Sequence, residues 1–323
     1  METIKIDLKD KKILYELDFN ARQSASQIAK KVGLSKDTVN YRINRLKDLG
    51  IIKRAYAVLN TLQIGFMHFN TLFRFRNINS TLREKFIIFC KKHDRIIWCV
   101  SIYGSWDFSV SFLGKDLKEY SKFIQEVLNE FGTNTQEKAL SVMIDSPTYT
   151  RKYLIEGKQS KEFEYKLAKP IKLDTIDYRI LSSISQNADM SIVDIAKNLH
   201  ITIDIAHYRM KQLINTGIIQ GFRIALDLDK IGYLYYKLLF SLQDTTPERE
   251  EALKEYCLKN QNIIQFIKYI GNWEIQIELE VKSESELFAI IEDLRNKFGD
   301  IIKTYEILRL KEEKLDYYPL KIV

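Results

Sequence analysis

Ile28-Ala29-Lys30 returns as Ile195-Ala196-Lys197, and the offset of 167 residues holds along the chain. Ile13-Leu14 meets Ile180-Leu181, Asn20-Ala21 meets Asn187-Ala188, Tyr41-Arg42 meets Tyr208-Arg209, and Gly50-Ile51-Ile52 meets Gly217-Ile218-Ile219. Farther on, Gly65 meets Gly232, Gly104 meets Gly271, Trp106 meets Trp273, and Phe131-Gly132 meets Phe298-Gly299, with no gap over about 130 residues. Two copies are too few for a solenoid, so the chain reads as a duplicated two-domain unit. The join is expected in Glu156–Pro170, a lysine- and glutamate-rich stretch carrying Gly157 and Pro170.

Within the first copy, Asp10–Leu17 places apolar residues at 13, 14 and 17, one face of a short helix. Ser24 can cap a second helix bearing Ile28, Ala29 and Val32, which stops at Gly33. Ser35 can cap a third, with Val39, Ile43 and Leu46 inward, before Gly50 ends it. Three short helices with a tight turn between the second and third make a helix-turn-helix. Its outward face would be Lys36, Asp37, Thr38, Asn40, Tyr41, Arg42, Asn44 and Arg45, donors suited to base edges and phosphates. The alternation in Ile51–Leu59, with Lys53 and Arg54, predicts a wing strand beside a phosphate backbone.

After Gly65 the pattern predicts strand (Met67–Arg76), helix (Leu82–Lys91), strand (Ile96–Tyr103), strand (Asp107–Leu113), helix (Leu117–Glu130) and strand (Thr135–Ile144). This is the split β-α-β-β-α-β order, with two helices on one face of a four-stranded antiparallel sheet. A second such sheet is the economical cover for the other face, since an exposed apolar face of that size would aggregate. The second copy repeats the order, with strands near Tyr233–Gln243, Ile263–Ile270, Glu274–Val281 and Ile301–Lys311.

The chain has 323 residues, 46% of them hydrophobic, which suffices for real cores. Its net charge of +7 suits a polyanion partner. The distribution is uneven: residues 1–60 carry about +6, the matching stretch 168–227 about +1. The N-terminus is too polar for the core of a signal peptide, and a membrane span between Arg95 and Lys115 is disfavoured by Asp107 and the glycine-containing turn at its centre. Cys90, Cys99 and Cys257 lack CxxC spacing and form no ligand pair with His68, His93, His200 or His207, so buried free thiols are expected and no metal or cofactor. The chain contains no P-loop, GxGxxG, GxSxG or HExxH motif.

The sequence resembles the Lrp/AsnC family, the feast/famine regulators. The resemblance is carried by Leu8-Lys9-Asp10-Lys11-Lys12-Ile13-Leu14, Ile28-Ala29, Gly33-Leu34-Ser35, Arg42, Leu46, Gly50-Ile51-Ile52 and Gly104-Ser105-Trp106-Asp107, and in the second copy by Leu173–Leu181 and Gly271-Asn272-Trp273-Glu274. It implies an α+β chain of two winged helix-turn-helix domains, residues 1–60 and 172–227, alternating with two ferredoxin-like (RAM-type) domains, 61–154 and 228–323, across a linker at 155–171. It further implies a cytoplasmic, homo-oligomeric transcription regulator of double-stranded DNA, without a membrane partner. The family's effectors, often amino acids, bind near the loop between the second and third strands of the sandwich domain. Carried over, that marks Tyr103, Gly104, Ser105, Trp106 and Asp107, and Ile270, Gly271, Asn272, Trp273 and Glu274.

The tandem form departs from the ordinary family, so the two sandwich domains of one chain are expected to pair pseudo-symmetrically. The second third-helix has diverged: Ile203 and Ile205 replace Lys36 and Thr38, and His207 replaces Asn40, leaving Thr202, Tyr208, Arg209, Lys211 and Gln212 as its polar and aromatic contacts. The first copy is therefore expected to dominate DNA affinity, with charge reversal at Arg42 and Arg45 more damaging than at Arg209 and Lys211. A weakly specific architectural DNA-binding protein is one alternative. Another is a sirohaem decarboxylase, since some relatives of this plan, fused tandem ones included, are such enzymes. Their His-Tyr-x-Arg and Tyr-Asn-Leu character is absent from Lys91–Trp98, and the second copy has no histidine after His207.

Overall fold

The computed structural model describes residues 3–158, 160–164 and 170–315. Part of the expected linker, residues 165–169, lies outside the described residues. Asp7 caps helix α1 (Leu8–Phe19) by accepting from the Asp10 N–H, while the Asp10 carboxylate accepts from the Asp7 N–H. Asp174 and Asp177 repeat this at α6 (Thr175–Gln186). Ser24 caps α2 (Ala25–Val32), which Gly33 ends at a φ of +65°. Ser35 caps α3 (Lys36–Asp48). The second copy has α7 (Ile192–Leu199), capped by Ser191, and α8 (Ile203–Asn215), capped by Thr202, but His200 rather than glycine adopts the left-handed turn between them.

The expected wing is realised differently. Strand β1 (Ile52–Leu59) pairs antiparallel with its counterpart β8 (Ile219–Leu226), so the two wings form one ribbon between the copies. Ile52, Ala55, Tyr56, Ala57 and Leu59 are buried along it, because a strand between two domains needs cover on both faces. The Ala21 N–H donates to the Phe222 carbonyl and the Ala188 N–H to the Ala55 carbonyl, so each helix-turn-helix leans on the other's strand. Both share one core, from Ile13 through Ile28 and Leu46 to Ile180, Ile195 and Leu213.

In the ferredoxin-like parts, β2 (Met67–Phe75), α4 (Ser80–Lys92), β3 (Ile96–Tyr103), β4 (Phe108–Gly114), α5 (Leu117–Phe131) and β5 (Thr135–Asp145) give a sheet ordered β3-β4-β2-β5. In the second copy, β9 (Leu234–Leu242), α9 (Pro247–Lys259), β10 (Ile263–Ile270), β11 (Ile275–Val281), α10 (Glu284–Phe298) and β12 (Ile302–Leu315) give β10-β11-β9-β12. Strand β5 then pairs with β10 and β12 with β3, so the sheets join at both edges into a closed eight-stranded barrel. Closure leaves neither four-stranded sheet with an open edge in the barrel. The segment between the copies adds a small hairpin, β6 (Thr148–Tyr149) with β7 (Glu162–Phe163), packed on β10.

The outward barrel faces pack under the helices: Phe69, Phe73, Phe86, Phe108 and Phe123 in the first copy, Leu238, Leu253, Ile277, Leu294 and Phe298 in the second. The interior is half apolar, with Leu72, Val100, Ile102, Leu239, Leu308 and Leu310 around Trp106 and Trp273. The rest is polar and unequal between copies. The second contributes Lys237, Gln276, Glu278 and Glu280, where the first has Asn70, Ser109, Ser111 and Leu113. Cys90, Cys99 and Cys257 are buried free thiols, and among the described residues no helix is long and apolar enough to cross a membrane.

Candidate functional site

On α3, Lys36, Asn40, Tyr41 and Asn44 are exposed, whereas Thr38 is half-buried with its hydroxyl on the Ser35 cap. Tyr41 is 68% exposed, which no packing role explains. The arginines differ from expectation. The Arg42 guanidinium turns back onto Asp7 at 2.8 Å and Asp10 at 2.7 Å, and Arg45 reaches Asp10 at 3.3 Å. Arg209 makes the same turn onto Asp174 at 2.8 Å and Asp177 at 3.3 Å. Arg42 and Arg209 thus tie α3 and α8 to the aspartate-capped N-termini of α1 and α6. The Asp7 carboxyl is held below its usual range chiefly by the Asp10 N–H, with Arg42 adding to this.

Lys53 is exposed and Arg54 half-buried, but both lie on the ribbon and not on a free wing. On α8, Ile203, Ile205, His207, Tyr208, Lys211 and Gln212 are exposed, as is its cap Thr202, so this face mixes two isoleucines with polar side chains. The two helix-turn-helix units are tied by Lys47 to Asp189 at 2.7 Å and by Arg22 to the Ala188 and Met190 carbonyls at 2.9 and 3.0 Å.

The two glycine–tryptophan loops come together inside the molecule. Trp106 and Trp273 meet edge to face with ring centroids 5.8 Å apart, both buried. Asp107 accepts from the Phe75 N–H and Glu274 from the Leu242 N–H, pinning each loop to its own sheet. Ser105 donates to Glu306, the Arg74 guanidinium lies over Trp106, and Tyr103 and Ile270 stay exposed. Gly104 has a φ of +151°; a Cβ on Gly271 would stand 2.8 Å from the Leu140 carbonyl oxygen. Gly271→Ala is therefore expected to destabilise the chain by about 1–3 kcal/mol, measured by chemical denaturation. A change within a few tenths would mean the loop can withdraw from β5.

Where the ribbon meets one end of the barrel there is a cavity of about 380 Å³. Lys237 Nζ stands 3.0 Å from Glu278 Oε1 and 4.5 Å from the centre of the Trp98 ring, while the Tyr235 hydroxyl donates to the same carboxylate. His68 also lines it, hydrogen-bonded to Thr61 at 2.8 Å, and burial pushes its pKa down to about 3. Beside the cavity, Asp18 accepts from the Arg151 N–H and Nη1 and from the Arg223 Nε and Nη2, at 2.7 to 3.1 Å. Arg151 continues to Glu280 at 2.9 Å, and Tyr153 donates to Glu280. One buried network therefore joins α1, the segment between the copies, the ribbon and the barrel.

A winged helix-turn-helix DNA-binding model matches residues 6–53 and again 173–220. The chain is 31% identical over 125 residues to the proline dehydrogenase transcriptional activator of Rhodobacter capsulatus, covering 38% of this chain and 81% of that protein. It is 26% identical to the regulator LrpB of Bacillus subtilis, over 46% of this chain and 95% of that one.

The chain belongs to the Lrp/AsnC family.

It is a tandem member: each of those relatives spans less than half of it. Among solved structures, the siroheme decarboxylase NirDL superposes over 96% of this chain and 94% of its own with a TM-score of 0.63, at 11% identity, a likeness of fold. For an Lrp/AsnC chain, the residues that sequence reasoning missed are those of the cavity and its network. Their signal was present in the repeat: Asp18, Arg223, Lys237, Glu278 and Glu280 stand where the other copy has Ser185, Tyr56, Asn70, Ser111 and Leu113. Such mismatches become informative only once the positions are known to meet.

Proposed function

We infer that the chain is a transcription regulator that binds double-stranded DNA through α3 and α8, presented as a pseudo-symmetric pair. The observation that carries this reading is that both third helices keep an exposed face while the ribbon and a shared core hold them in one body. The faces are unlike, so the operator is composed of two unlike half-sites and α3 supplies most of the affinity. With Arg42 held by aspartates, the phosphate-directed charge of α3 falls to Lys36. A small effector and self-association belong to the same reading: Tyr103 and Ile270 remain open at the effector loops, and Ile88 and Phe288 on the outer helices offer apolar surface to another chain. Such a regulator works in the cytoplasm.

The test is salt-titrated binding to a genomic duplex pool with sequencing of what is retained. Affinity should fall linearly with log salt and a shared motif should emerge. Lys36→Glu should weaken binding roughly tenfold and lower the salt slope by about one, with a smaller loss for Lys211→Glu. Equal losses remove the asymmetry, and no retention at low salt removes the regulator reading altogether. Retention without a motif points to an architectural role. The decarboxylase alternative is disfavoured by the absence of His-Tyr-x-Arg and Tyr-Asn-Leu character from Lys91–Trp98. Incubation with sirohaem should leave its absorption spectrum unchanged.

A further inference from the structure

The first turns of the two third helices carry unlike chemistry. Lys36 and Thr38 stand in the first turn of α3, where α8 has Ile203 and Ile205 at the matching places. Packing does not ask for these isoleucines. The inward side of α8 is filled by Ala206, Met210 and Leu213, all buried, whereas Ile203 is 49% and Ile205 41% exposed. The turn that bears them is held in place, because the Thr202 hydroxyl accepts from the Ile205 N–H at 3.2 Å. In α3 the Thr38 hydroxyl bonds to the Ser35 cap, a polar group that Ile205 gives up for apolar surface. The surroundings suit a polyanion: Lys211 on the same helix and Lys197 at the end of α7 are open to solvent. The winged helix-turn-helix DNA-binding model spans the whole of α8.

A recognition helix reads base edges with its N-terminal residues. The base edges of the major groove present hydrogen-bond donors and acceptors, and the thymine C5-methyl is the one apolar group among them. Isoleucine has no donor or acceptor to offer. Over a guanine, cytosine or adenine edge it would displace water from polar atoms and return no hydrogen bond, a net cost. Over thymine it covers a methyl, and each methyl so buried is worth roughly fourfold in affinity. The acidic residue beside the isoleucines, Asp204, repeats Asp37 and so does not separate the two helices.

We propose that Ile203 and Ile205 are specificity-determining residues that read thymine methyl groups, so that the half-site under α8 is selected for thymine and the half-site under α3 by hydrogen bonds and charge. The assignment rests on the reading of α8 as a DNA-binding helix.

Duplexes retained in the genomic selection, remade with deoxyuridine in place of thymidine, test it, since deoxyuridine pairs alike and lacks only the methyl. The native chain should bind the deoxyuridine duplex roughly four- to tenfold more weakly. With deoxyuridine placed in one half-site at a time, one half should carry the loss. Ile203→Gln with Ile205→Ser leaves the charge unchanged and should bring the ratio between the two duplexes close to one. Lys36→Glu should weaken binding to both duplexes and keep the native ratio. No loss on deoxyuridine, a loss shared equally by the two halves, or an undiminished ratio in the isoleucine variant overturns the assignment, and the first two outcomes need no variant to fold. A variant that changes the oligomeric state in light scattering while keeping the native ratio also overturns it and marks a protein-contact face. All of these leave duplex binding itself standing, whereas failure to retain any duplex at low salt removes the DNA-binding reading and the assignment with it.

Discussion

Replacing Asp18 by alanine should cost about 3–5 kcal/mol of folding stability, because it takes the carboxylate partner from the buried Arg223 guanidinium and leaves Arg151 with that of Glu280. Asp18 is fully buried and accepts four hydrogen bonds from Arg151 and Arg223. Burial by itself would raise its pKa. The Arg223 charge, then that of Arg151, together with their hydrogen bonds, outweighs burial and holds the carboxyl below the usual range. In the unfolded chain the same group titrates near pH 4, roughly the reference value. Its contribution is therefore complete above that pH and is lost as pH falls through the lower folded value. Denaturation midpoints between neutral and acid pH should fall more steeply for the native chain than for Asp18→Asn. Parallel profiles would show that the two arginines are stabilised without Asp18.

Asn70→Lys is expected to be comparably damaging, at about 3 kcal/mol or more, although it copies the residue that the second sheet carries at the matching place. Asn70 is buried and donates to Ser109 at 3.0 Å, Ser111 at 3.3 Å and the Val110 carbonyl, none of which can neutralise an ammonium. Lys237 is tolerated because Glu278 stands beside it and the ring of Trp98, from the first sheet, covers it. The barrel thus pairs a charged, bulky inner face with a short, neutral one, and two faces of either kind would be overfilled with charge or left hollow. The reciprocal change, Lys237→Asn, should lose a similar amount by leaving Glu278 with the Tyr235 hydroxyl alone. Losses under about 1 kcal/mol for both, the ordinary range for a single substitution, would mean that water reaches this part of the barrel and screens it.

Much of the architecture was legible before any coordinates. Asp7, Ser24 and Ser35 before apolar periodicity mark helix starts through local hydrogen bonds, and Gly33 and Gly50 mark their ends, so three helices in the right order follow from neighbours in sequence. Strand β3, expected at Ile96–Tyr103, spans those residues, and the glycine–tryptophan loops lie between β3 and β4 and between β10 and β11. The exposed face of α3 was also readable, with Lys36, Asn40, Tyr41 and Asn44 open to solvent. The pairing of Arg42 with Asp7 and Asp10 was not legible, because helical periodicity says which side a residue occupies and nothing of which aspartate, more than 30 positions away, a long side chain will meet.

The sequence by itself determined the duplication, the order of helices and strands in each copy and the family, because these rest on local propensity and on a repeat that survives comparison of the chain with itself. Tertiary structure alone decided that the wings pair with each other, that two four-stranded sheets close edge to edge into a barrel, and that Asp18, Arg151, Arg223 and Glu280 meet. Each of these depends on contacts between residues 100 or more positions apart. Their energies come from burial and pairing that no local pattern encodes: a lone lysine at 237 reads as surface until Glu278 and Trp98 are found on either side of it.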